Sequence, residues 1–253
     1  MIFFSKKKEV VLDCFTTCAE AYEIAKPNYA THFYPEWFKK TKCVDDNGSY
    51  TIRNCIGLID YYKTGIVLPS WFSARITVTE KMEDGSTCYW ERSSPTVVFD
   101  SHPVDQFINF SLGNYFNIKI NSVWFFKTNR NVSFVCGHPL WNLPEYMKNK
   151  FYVLPGVMNF YYQHYTNINL LFEHPNNIGS KIEISPLDPL VIIHPMTEET
   201  VQLRCHLVDE KEIDKLMAIE KSVWKGYSTS FYDSKKKIQD RLDKLNSCPF
   251  RRK

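Results

Sequence analysis

The sequence predicts a mainly β protein of the α+β class: an antiparallel β-sandwich or jelly-roll-like body, a helix at about 51–64, and two C-terminal helices. Three observations carry that expectation. Short stretches of alternating apolar and polar residues, separated by Pro, Asn and Gly, fill residues 66–207. Aromatic side chains, which suit half-buried pleated surfaces, make up 15% of the chain. No helices of 10–15 residues alternate with the strands, which disfavours a parallel doubly wound sheet.

The 253 residues suffice for one domain with a sizeable core, divided as 1–65 (strand, loop and helix), 66–207 (β body) and 208–253 (helical extension). Glu9–Thr16 reads as the first strand. Pro35 opens one helical turn as its first residue, where the missing N–H costs nothing. Asp45-Asp46-Asn47-Gly48-Ser49 is a turn. Ile52, Cys55, Ile56, Ile59 and Tyr62 recur at helical spacing as one buried face, and Gly65 stands at the C-terminal cap. Residues 72–79 and 87–92 form a hairpin around Asp84-Gly85. Further strands are expected at 96–99, 115–120, 123–127, 132–136, 158–163, 167–172, 181–184, 190–194 and 200–207. Asp209 is a candidate N-cap for the first terminal helix, and residues 233–245 form the second.

Composition excludes some function classes. A net charge of +3 is too small for a nucleic-acid footprint, so nucleic acid is an unlikely partner, and Lys235-Lys236-Lys237 and Arg251-Arg252-Lys253 read as solvated charge. No apolar run reaches membrane-spanning length. The start, Met1-Ile2-Phe3-Phe4 before three lysines, is too short for a secretory signal. A reducing cytoplasm is therefore expected, with the eight cysteines free and mostly buried. Nine glycines form no phosphate-binding loop and no nucleophile elbow.

No catalytic, cofactor-binding or metal-binding residue is assigned. The candidates weighed are His194 with Arg204, read as lying on neighbouring strands in the manner of iron and 2-oxoglutarate-dependent oxygenases, and a cupin-like set of His164, Glu173 and His206. Iron is the alternative cofactor in either case. The upstream HxD pattern is missing, since His102 and Asp105 are one residue too far apart to share a strand face. The blander reading makes His194 a satisfied histidine before Pro195 and Arg204 a solvated side chain. Phe160–Asn169 reads as a core strand with a polar turn.

Several blocks follow one another in a familiar order. They are Val11-Leu12-Asp13-Cys14-Phe15-Thr16, Phe33-Tyr34-Pro35-Glu36-Trp37-Phe38-Lys39, Cys55 to Lys63 ending in Leu68-Pro69, His102-Pro103, Trp124-Phe125-Phe126-Lys127, Gln163 to Phe172, and Pro189-Leu190-Val191-Ile192-Ile193. Together they resemble an uncharacterised protein family of tailed bacteriophages, especially T4-like phages of marine cyanobacteria and relatives, with bacterial members. The resemblance covers nearly the whole chain and transfers no site residues. It implies a phage gene product in the host bacterial cytoplasm or the virion, acting as an accessory or virion-associated protein. A protein partner or self-association is expected, with a jelly-roll oxygenase or cupin-like enzyme as the alternative.

Overall fold

A computed structural model of the protein describes residues 9–79, 88–100, 115–148, 150–173, 179, 181–224 and 231–246. Through them the chain runs β1 (Val10–Thr16), α1 (Ala19–Ile24), β2 (Asn28–Tyr29), α2 (Glu36–Lys40), α3 (Ile56–Thr64), β3 (Ile66–Pro69), β4 (Ala74–Val78), β5 (Cys88–Arg92) and β6 (Phe99–Asp100). It continues β7 (Tyr115–Thr128), β8 (Phe134–Gly137), β9 (Tyr152–Val153), β10 (Gly156–Met158), β11 (Tyr165–Glu173), β12 (Lys181–Ile184), β13 (Pro189–Pro195), β14 (Val201–Leu207), α4 (Glu210–Trp224) and α5 (Phe231–Asn246). The fold is mainly β with helices added, as expected. The Asp84-Gly85 turn, His102, Asp105, His174 and Arg251-Arg252-Lys253 lie outside the described residues.

The strands form three sheets. One has the order β14-β1-β7-β11-β9 with β6 also on β7, one the order β10-β8-β13-β3-β2, and a third is β12-β4-β5. The expectation of a purely antiparallel body needs correction, because β1 and β14 pair in parallel. The chain reaches β14 from β13, in a different sheet, so no hairpin sets its direction. β1 is also no peripheral N-terminal strand; it lies between β14 and β7.

Period-two patterning works as the sequence implies. Val10, Leu12 and Cys14 of β1 turn inward, as do Phe116, Ile118, Ile120, Trp124 and Phe126 of β7 and Ile168, Leu170 and Phe172 of β11. β7 is one fourteen-residue strand rather than two. Asn121-Ser122 does not interrupt it because the even-numbered residues stay inward throughout, and the Ser122 hydroxyl satisfies the Trp124 N–H at 3.0 Å. The strand expected at 158–163 is instead a turn. The Asn159 side chain accepts from the Tyr161 N–H and its carbonyl from Tyr162 and Gln163, an arrangement that overrides the β propensity of the aromatic run. The hairpin of β4 and β5 pairs Ala74–Val78 with Cys88–Arg92 as predicted.

In the second sheet, β3 and most of β13 are buried on both faces. Ile66 and Leu68 of β3, with Val191 and Ile193 of β13, join the main core, while Val67 and Ile192 face a smaller core with Ala30, Phe38, Leu58 and Tyr62. Helix α3 closes that outer side, but with a different face from the one its spacing predicts. Leu58 and Tyr62 are buried, whereas Ile52 and Ile56 are 46% and 74% exposed. Residues 52–54 form a separate 3-10 turn, so they are not continuous in phase with the helix. Gly65 ends α3 with an ordinary negative φ, so it is not a left-handed cap. Its role is clearance: a Cβ there would stand 2.7 Å from Ile192 Cδ1, 2.8 Å from His194 Cε1 and 2.9 Å from the Tyr61 carbonyl oxygen.

At the C-terminus Asp209 caps α4, accepting from the Glu212 N–H at 2.9 Å. Helix α5 packs on the outside of the body, burying Ile238 against Tyr161 and Tyr162. Among the described residues no helix is long and apolar enough to cross a membrane.

Gly65→Ala is expected to lower unfolding stability by about 1–3 kcal/mol, the usual cost of overpacking. Urea denaturation of the purified variant, with an unchanged m-value, is the measurement that checks it.

Candidate functional site

Three short turns, each entered through a proline, surround one cleft. In each the proline supplies a preset φ and a carbonyl that accepts the first turn hydrogen bond. Pro35 O receives Phe38 N at 3.0 Å and opens α2, as the N-cap rather than the first helical residue. Pro139 O receives Asn142 N at 2.8 Å, and Pro144 O receives Met147 N at 2.9 Å. The cleft between them, about 480 Å³, is walled by Phe33, Tyr34, Trp37, Tyr146 and Leu187, with His32 also lining it. Such a volume suits a small ligand or a short stretch of chain.

Two buried polar side chains hold the walls together. Asn142, 2% exposed, donates its Nδ2 to the carbonyls of Ala30 (2.9 Å) and Phe33 (3.3 Å). Those acceptors fix the amide orientation, and its Oδ1 is buried without a hydrogen-bond partner. Leaving such an acceptor unsatisfied costs about 1–3 kcal/mol. Asp188, 3% exposed, accepts from the Tyr146 hydroxyl and, at 2.7 Å, from the Ser185 N–H. Burial pushes its carboxyl up, against the pull of those two donors. Burial, then the adjacent carboxylate, pushes the Tyr146 phenol up to about 12, so it remains a donor at neutral pH.

Leu187, directly before Asp188, has φ +71°, the left-handed region that a branched aliphatic residue occupies only under constraint. The constraint is visible in the backbone: Leu187 N donates to Ser70 O and Ser70 N to Asp188 O, both at 2.8 Å. The outcome is an apolar side chain left 53% exposed on the cleft wall. Tyr146, which also lines the cleft, is exposed as well, as are Leu140 and Trp141 of the Pro139 turn, and Trp37 and Trp141 have ring centroids 6.0 Å apart. The charges near the rim are matched internally, Lys39 with Glu36 at 2.8 Å and Lys148 with Glu145 at 2.6 Å. The cleft therefore offers aromatic surface rather than net charge.

The residues singled out from the sequence do not converge. His194 lies on β13 and Arg204 on β14, strands of different sheets, which corrects the expectation that they neighbour one another. His194 packs against Tyr61 (4.6 Å between centroids) with its Nδ1 3.3 Å from Thr64 Oγ1. Burial lowers its pKa, and its Nε2 is enclosed without a partner, so it is only half satisfied. Arg204 is exposed and bonds Gln202 at 2.6 Å. His164 and Glu173 bracket β11, and His206 is on β14 with two strands between, roughly 14 Å across at the usual spacing. Instead, His206 Nε2 meets Asp13 Oδ1 at 2.8 Å and its ring stacks on Phe15. Among the described residues no three His, Cys, Asp or Glu side chains gather in a way that could hold a metal ion. Among the described donors, His194 is apart from Arg204 and His164 is apart from His206. Of the six cysteines whose side-chain burial is described, all free, Cys14 is buried, Cys18, Cys136 and Cys205 are half-buried and Cys43 and Cys55 are exposed, contrary to the expectation that most would be interior.

Sequence reading missed the cleft. The one usable signal was the repeated spacing of proline two residues before an aromatic, in Pro35-Glu36-Trp37, Pro139-Leu140-Trp141 and Pro144-Glu145-Tyr146. No family model matches the chain, and no curated protein matches it in sequence.

His164 yields a pH prediction. Burial pushes its imidazole down to about 4, although its bond to the Phe126 carbonyl at 2.9 Å works the other way. An unfolded chain would bind that proton near pH 6.5. Stability from this group is thus complete above about pH 6.5 and falls as pH drops toward 4, by up to about 3 kcal/mol. Urea unfolding at pH 7.5 and 4.5 is expected to show His164→Gln losing less stability on acidification than the parent.

Proposed function

We propose that this chain is a non-enzymatic protein-binding module whose aromatic cleft receives an extended peptide segment of its partner. The observation that carries this is the aromatic and proline-lined cleft whose rim charges are paired with one another. Extended proline-containing or apolar segments dock on such surfaces, because ring faces take their side chains and a few fixed polar groups take their backbone. The internally paired rim charges argue against a ligand recognised by charge.

The resemblance to a tailed-phage family supports placing this module in an accessory or virion-associated protein, in the host cytoplasm or on the particle. The body itself we read as jelly-roll-like, with the two larger sheets as leaves of a sandwich. Inward residues Leu12, Trp124 and Leu170 of one sheet and Leu68, Phe134 and Val191 of the other share a core. Helices α4 and α5 offer a second contact surface to the partner.

Selection of a random peptide display library on the full chain is expected to enrich extended apolar or proline-containing sequences. Synthetic versions of these should bind at least tenfold more weakly to Trp37→Ala and to Tyr146→Phe/Trp37→Ala, since an aromatic anchor of this kind is worth more than about 1–2 kcal/mol. Equal binding to the Trp37→Ala protein, or no enrichment, would overturn the reading. Stoichiometric iron in the purified protein, lost on His194→Ala, would favour the oxygenase or cupin alternative.

A further inference from the structure

Away from the cleft, two cysteines far apart in sequence are brought side by side. Cys14 and Cys205 are register partners in the parallel β1·β14 ladder. Register partners on adjacent strands present their side chains to the same face, with backbones about 4.8 Å apart, inside the Cα separation that a disulfide bridges. Cys14 is wholly buried in the main core, whereas Cys205 is half-buried and packs against the edge of that core. β14 ends the spatial order of its sheet, so Cys205 stands at an edge.

The surroundings of the two thiols differ. A hydrogen bond from Cys14 and, after it, the charge of Lys26 hold the Cys205 thiol below its ordinary range, despite partial burial. Burial pushes the Cys14 thiol well up. When protonated, Cys205 Sγ lies 3.7 Å from the Pro27 carbonyl oxygen, which orients it at the base of the α1–β2 connection. One thiol is thus the readier nucleophile and the more accessible, and the other is an adjacent proton donor.

We propose that Cys14 and Cys205 form a peroxide-oxidisable dithiol, a modification site in which Cys205 attacks and Cys14 resolves. The Cys205 thiolate attacks one oxygen of hydrogen peroxide, the O–O bond breaks, and hydroxide leaves and takes up a proton to become water. Cys205 is then a sulfenic acid. Cys14 sulfur attacks that sulfur and gives up its proton, the S–O bond breaks, and the oxygen departs as a second water. Two thiols and one peroxide become one disulfide and two waters. The product ties β14 covalently to β1 and closes a loop of nearly the whole described body, which restricts the unfolded chain.

The test uses the full chain, reduced, freed of reductant and treated with one equivalent of hydrogen peroxide, then alkylated in denaturant and mapped by peptide mass spectrometry. The expected result is a Cys14–Cys205 linked peptide as the main oxidised product, reversed by dithiothreitol, with a melting temperature several degrees above that of the reduced protein. Cys205→Ser should abolish the link, and Cys14→Ser should leave Cys205 as a sulfenic acid that dimedone labels severalfold more than in the parent. Main oxidation at the exposed Cys43 or Cys55, or Cys14 still fully alkylated after peroxide, overturns the proposal. The mapping of the unsubstituted protein decides the matter even if a substitution at buried Cys14 prevents folding.

Discussion

The two-sided burial of β3 and β13 is the constraint on which the rest of the structure depends. A strand pair that is apolar on both faces cannot be left against water on either side. Its inner face, through Leu68, Val191 and Ile193, belongs to the core shared with β1, β7 and β11. Its outer face, through Val67 and Ile192, must be covered by something else, and the residues that cover it are Ala30, Phe38, Leu58 and Tyr62. The close approach of α3 to the sheet at Gly65 follows from that demand.

The cleft is a consequence of how the cover is made. Instead of one long helix, the outer face is closed by α3 together with several single turns, and single turns leave gaps between them. Tyr62 spans two of the covering segments by donating to the Trp141 carbonyl at 2.7 Å, while its ring meets Tyr34 and Phe38. Asn142 then ties its turn to Ala30 and Phe33, and Asp188 ties Tyr146 to Ser185. An aromatic gap is what remains, and the strained backbone at Leu187 keeps one more apolar side chain on its wall.

The same logic of pairing distant segments explains the thiols and the histidines. Parallel pairing of β1 with β14 joins the two ends of the body, and it is this pairing that sets Cys14 beside Cys205 and Asp13 beside His206 on opposite faces of one ladder. Residues separated by a sheet boundary, such as His194 and Arg204, are kept apart by it, however close they stand in sequence.

Local patterns in the sequence by themselves determined the sheeted body: one-face alternation marks β12, runs of β-branched and apolar residues mark β1 and β13, and an acidic residue before a helical pattern marks the cap at Asp209. Local chemistry could also mislead where a single side chain competes with the pattern, as Asn159 does by turning an aromatic run out of the sheet. Tertiary structure alone decided the parallel partner of β1, the face on which α3 lies, and the meeting of three proline-led turns around one cleft. Those outcomes depend on which elements become neighbours after the chain crosses between sheets, and no spacing within a single segment encodes a neighbour that far away.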